Sequence, residues 1–195
     1  MTAQIKSAIS RTIYQLWGNN EPNKAAFAAL RNSNSMLNRN ATVVWPQIME
    51  NMQREELSKD GRPTKAELAV FVALRCYALY QQGNDLLTYA DKTSNGKELF
   101  AVLSSLRKDD LTRKAIDRRV QAVLGSSNAQ SVINALYHLI SILKASSLNN
   151  LIDFAQLGQD LFYFQLNNEL ARQTCLKWGQ QYYWNEKTNL NEKED

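Results

Sequence analysis

His138 is the one histidine of the 195-residue chain, and imidazole is the side chain best suited to moving a proton near neutral pH. No serine or cysteine motif stands beside it, so the pattern of a catalytic triad is missing. The spaced ligands of a zinc site are missing too, and the surrounding pattern places His138 on a helix surface. Asp109-Asp110 is an acidic pair that opens a helical run, where capping and the helix dipole account for it without a metal. Gly96-Lys97 lacks the earlier glycine that a phosphate-binding loop requires. Cys76 and Cys175 each fall in an apolar helical pattern, which predicts two small buried hydrophobes rather than a disulfide or metal framework. These residues predict a protein that is not an enzyme and that holds no metal and no cofactor.

The cations are better organised. Residues 61–125 hold 11 basic and 7 acidic side chains, a surplus of +4, while residues 1–60 carry +2 and residues 126–195 carry −2. The central segment contains Lys97, Arg107, Lys108, Arg113, Lys114, Arg118 and Arg119. Lys114 and Arg118, four residues apart, share a helix face, and Arg107 and Lys108 extend the stripe across a short connection. Such a stripe suits a phosphate backbone; a solvated helix face diluted by Asp109, Asp110 and Asp117 is the alternative. Trp17, Trp45, Trp178 and Trp184 stand at apolar helix positions and are assigned to packing rather than to stacking on bases.

Helices must position these groups. Seven glycines and three prolines are too few for the turns of a sandwich or barrel, and apolar residues recur at helical spacing almost throughout. The first helix carries Ile5, Ile9, Ile13 and Leu16 and stops at Gly18; Pro22 opens a second, with Phe27 and Leu30. A loop over 32–41 and a helix over 45–57 follow. Thr64 with Glu67 forms a capping box for a long helix ending near Gly83. Beyond a polar loop at 84–94 come helices at 95–107 and 110–124, with Gly125 as C-cap. Ser127 with Gln130 is a second capping box, Asp153 caps a helix holding Phe154, Leu157, Leu161 and Phe164, and a last helix runs from 168 to 184. The expected fold class is all-α: two small helical bundles of eight or nine helices, residues 1–125 and 126–184, then a frayed polar tail at 185–195. The N-terminal residues lack the apolar core of a signal peptide, and no run approaches a membrane span, so the expected setting is cytoplasmic, with no membrane partner and no small-molecule substrate.

Several segments, in order, resemble one family: Ile13-Tyr14-Gln15-Leu16, Ala28-Ala29-Leu30-Arg31, the helix from Ala69 through Leu74-Arg75-Cys76 to Tyr80, Gly96 with Leu99 and Leu103, and Asp117-Arg118-Arg119 through Leu124. Leu136, Leu139, Ile140 and Leu143 follow, then Asp153-Phe154 with Leu157, Asp160 and Leu161. Their order and spacing over residues 10 to 184 are similar to the CasB family, the small subunit of Cascade, the type I-E CRISPR surveillance complex of antiviral defence. The resemblance implies a non-catalytic, all-helical subunit, present as two copies among the other Cascade subunits. It implies contact with guide RNA, target DNA and the displaced strand through basic surface residues.

Carried over by position, Arg31 matches the basic residue of the Ala-Leu-Arg segment, with Lys24 extending its face. Arg118 and Arg119 match the paired arginines, and Lys144 matches a basic position after the leucine-rich helix. Adjacent helix positions diverge by about 100°, so one of the pair faces nucleic acid while the other meets acids such as Asp117. The chain departs from the family pattern at Tyr137 and His138, where arginine is common. Together with Lys97, Arg107, Lys108 and Lys114 of the basic stripe, the expected binding set is Lys24, Arg31, Arg118, Arg119 and Lys144, and the resemblance implies that such residues touch backbone and stabilise an R-loop. A helical protein–protein adaptor without nucleic-acid contact is the other reading.

Overall fold

Helical periodicity with capping residues at the breaks dictates a stack of helices, and a computed structural model shows one. It describes residues 4–18, 21–146 and 148–191, with side chains described to Trp184. Nine α-helices occur among them: α1 Ile5–Trp17, α2 Lys24–Asn32, α3 Trp45–Asn51, α4 Lys65–Gln81, α5 Leu99–Ser104, α6 Asp110–Leu124, α7 Ala129–Ala145, α8 Phe154–Phe164 and α9 Asn168–Asn191. No strand is formed among the described residues; Ile152 makes isolated bridges to Tyr89 and Lys97.

Local chemistry explains the boundaries. The Thr64 hydroxyl accepts from Glu67 N at 3.0 Å and Glu67 Oε2 accepts from Thr64 N at 2.7 Å, so the box at the head of α4 closes both ways. Asp153 caps α8 by accepting from Gln156 N at 2.8 Å, and Asp109 caps α6 by accepting from Leu111 N at 3.0 Å. Five expectations shift. Asn23, after Pro22, is the cap of α2. Asn128, not Ser127, caps α7, accepting from Ser131 N at 2.9 Å. The helix expected over 45–57 ends at Asn51, with extended Met52 and Gln53 before a separate 3-10 turn, and the one over 95–107 is α only from Leu99 and continues into a 3-10 turn. Helix α9 runs on to Asn191, through most of the expected tail, whose last four residues lie outside the described set.

Packing centres on α4 and α8. Helix α8 packs against α4 and α1 on one side and α9 on the other, α2 and α7 also lie on α4, and α5 and α6 meet α9. The closest approach is at Gly158 of α8: a Cβ there would fall 2.0 Å from Ile9 Cδ1 and 3.0 Å from Ala73 Cβ. Glycine in a helix interior costs about 1 kcal/mol against alanine; here it admits α1 and α4 together. Cys76 and Cys175 are free and buried, and burial pushes the Cys76 thiol up to about 12. Trp17 and Trp178 are buried, whereas Trp184, expected in the core, is 66% exposed.

Candidate nucleic-acid interface

The predicted cations fall into three groups. In the first, Arg31 and Lys144 come together from α2 and α7. Arg31 Nη1 donates to Ala78 O of α4 at 3.4 Å, and Lys144 Nζ donates to Gln82 Oε1 at 2.6 Å. Burial lowers the Lys144 pKa from the usual lysine value, and the nearby charge of Arg31 lowers it further. Each residue is in the last turn of its helix, where a cation complements the negative end of the dipole. Lys24 is exposed at the head of α2, seven residues and two turns before Arg31.

Sequence reasoning missed the third member. Arg75, in the middle of α4, holds its guanidinium 3.8 Å from the centre of the Tyr137 ring. Its Nε is buried with no hydrogen-bond partner. The Tyr137 hydroxyl donates to Arg31 O at 3.3 Å, so the ring ties the two arginines to one place. Helix α7 thus presents a tyrosine ring with a guanidinium over it from α4. The available signal was one arginine inside the otherwise apolar run from Ala69 to Ala78.

The second group lies on α6. Lys114 and Arg118 are exposed one turn apart, and Lys108 is exposed just before the helix. Arg119 diverges from Arg118: its Nη1 donates to Ala115 O at 3.2 Å, and it lines two apolar cavities of about 480 and 410 Å³ shared with Ile142 of α7. His138, exposed, borders the first of these. Helix α7 therefore turns Tyr137 and Lys144 toward α4, and His138 and Ile142 toward α6, and separates the two basic groups.

The third group does not join either. Arg107 is 7% exposed and donates to Asp117 Oδ1 at 2.9 Å, with its guanidinium beside the rings of Tyr182 and Tyr183. Asp117 also accepts from the Tyr182 hydroxyl at 2.7 Å. Burial would raise the Asp117 pKa, but those two hydrogen bonds and the charges of Arg107 and Arg113 bring it below the usual value. Asp117 thus meets Arg107 and Arg113 rather than the paired arginines. Lys97 is exposed, with its backbone joined to Leu151 and Asp153.

Among the described residues no three His, Cys, Asp or Glu side chains are placed to hold a metal, and no helix is long and apolar enough to cross a membrane. A family model described as CRISPR-associated protein Cse2 matches residues 26–183. The chain belongs to that family. The match takes in both basic groups and leaves Lys24 outside it. The crystal structure of CasB from Thermobifida fusca superposes with a TM-score of 0.66 at 18% identity, covering 93% of this chain and 99% of that one. That likeness speaks for the fold. A search of curated proteins finds no match.

Proposed function

We propose that this protein is the small, non-catalytic subunit of Cascade. In this reading it binds the backbone of the guide RNA–target DNA region and of the displaced strand, and so stabilises the R-loop. Membership of the Cse2 family supports a Cascade subunit in CRISPR defence, working with the other subunits and with a second copy of itself. The observation that carries the nucleic-acid reading is the meeting of Arg31, Arg75 and Lys144 at one place. None of the three has a carboxylate within ion-pair distance among the described residues. Cations on a folded surface without carboxylate partners can take the place of the counter-ions condensed on a nucleic-acid backbone.

Mechanistically, the guide reads sequence by base pairing. Replacing the DNA duplex by the heteroduplex is close to balanced in free energy. Neutralising phosphates on the strand set free tips that balance forward, and contacts to backbone alone suffice. The ridge of Lys108, Lys114 and Arg118 supplies a second such surface. The test is R31E/R118E/K144E in the assembled complex. R-loop lifetime should shorten and its salt dependence flatten while the complex still assembles; an unchanged lifetime refutes the reading.

One observation favours protein contact as well. On α9, Leu176 and Trp184 are 64% and 66% exposed and, with Leu124 and Gly179, line an apolar cavity of about 1060 Å³. Such a face suits a protein neighbour. If the triple variant binds normally but L176E prevents assembly, the adaptor reading prevails.

A further inference from the structure

Two contacts between α4 and α7 repeat at the same offset. Arg75 meets Tyr137, and seven residues later in each segment Gln82, the C-cap of α4, meets Lys144 of α7. The two helices therefore run in the same direction here, with the two contacts two turns of α7, or about 10 Å, apart. Arg31 spans the interval: its carbonyl is held at the first contact by Tyr137, its guanidinium reaches Ala78 between the two, and its charge is felt by Lys144 at the second. Three cations thus line one seam in the order Arg75, Arg31, Lys144.

Dipole complementarity explains Arg31 and Lys144, which close their helices, but not Arg75. That residue sits mid-helix, half-buried, with a buried Nε that no group satisfies. Leaving a buried donor unmade is costly, and a guanidinium held over an aromatic face has N–H groups left for an anion. A row of cations about two turns long fits a run of phosphates better than one isolated anion.

We infer that the α4–α7 seam grips successive phosphates of a single strand, with Arg75 as a binding residue and Tyr137 as the residue that positions it. The inference rests on the nucleic-acid reading above and adds to it the site's shape and a residue that the basic stripe does not include. The ring holds the guanidinium while the Tyr137 hydroxyl fixes the backbone of Arg31, so one side chain sets the spacing of two cations.

The experiment is a salt titration of the full chain against a single-stranded oligothymidylate. R75Q should weaken binding about five- to tenfold and lower the slope of log K against log salt by about 0.7, the value of one single-strand phosphate. R75K keeps the charge and should keep the slope with weaker binding. Y137L keeps every charge, so its slope should stay while affinity falls about two- to fivefold, as expected for a lost cation–π contact. Y137L also serves as the test if R75Q fails to fold. If R75Q and Y137L bind like the unmodified chain while R31E/K144E binds weakly, the seam is refuted and the broader reading stands. If R75Q weakens binding without moving the slope, Arg75 is structural and the inference falls. If R31E/K144E and R118E all leave the slope unmoved, the broader reading falls with it.

Discussion

Asp160 joins α8 to α9, and removing it should cost a calculable amount. Its carboxylate, 6% exposed, accepts from Trp178 Nε1 at 2.9 Å, from Lys177 Nζ at 2.8 Å and from Gln156 Nε2 at 2.7 Å. In D160A the three donors are affected unequally. Lys177 is 37% exposed on its side chain and also has Glu98 at 3.4 Å, so it turns to solvent and adds little. Gln156 is only half-buried and does the same. Trp178 is 1% exposed and stacks on Phe100 and Phe164, so its N–H reaches no water. An orphaned buried donor costs about 1–3 kcal/mol, and the lost charge-assisted bonds bring the total to about 2–4 kcal/mol. At about 2–4 °C per kcal/mol for a chain of this size, Tm should fall by roughly 4–16 °C. The companion variant W178F deletes the donor. In that background D160A should cost about 1–2 kcal/mol less, a coupling that the four-variant cycle reads directly by chemical denaturation. A D160A change inside the usual surface range of about 0.5 kcal/mol, or no coupling in the cycle, refutes the assignment.

Two further outcomes follow from the geometry. G158A should destabilise by about 1–3 kcal/mol through overpacking, and I9V, which removes the methyl 2.0 Å from the new Cβ, should recover part of that loss in the double variant. Lys144 has a pKa below the ordinary lysine value of about 10.4, and it faces Arg31 and Gln82 and shares a cavity with Tyr80 and Asp85. Between its native and unfolded pKa values the unfolded chain holds the extra proton, so this group makes stability rise with pH there. Binding of single-stranded DNA moves the other way, weakening over the same interval as the cation is lost; K144R should flatten both trends, and parallel rather than opposed pH profiles would contradict the placement of Lys144.

What the sequence disclosed follows distance along the chain. The Thr64–Glu67 box, the Asp153 cap and the face shared by Lys114 and Arg118 depend on residues three or four apart, and each was readable. The cap of α7 slipped by one position because Ser127 and Asn128 are neighbouring good caps, and geometry alone chooses between them. Arg107 reads as one more basic residue until folding brings Tyr182, 65 residues beyond Asp117, over the same carboxylate. Arg75 hid for a related reason. An arginine in an apolar helix looks like a side chain snorkelling to water, and nothing local says that a tyrosine 62 residues later will lie beneath it. Trp184 misled because the helical periodicity that marks a core face continues onto a face that α9 leaves exposed.

The seating of α1 on α8 also has a consequence for synthesis. Ile5, Ile9 and Ile13 are fully buried, and Lys6 Nζ donates to Gln156 Oε1 across 150 residues of sequence. Helices α3 and α4 reach α1 sooner, but the face that meets α8 waits. At the usual ribosomal pace of about 5–20 residues per second, that wait lasts roughly 8–30 s. Throughout it α1 is an amphipathic segment whose α8-facing apolar side stays uncovered. The nascent chain is therefore a natural client for a ribosome-associated chaperone, and slow codons between α4 and α8 should lower the soluble yield even though they change no residue.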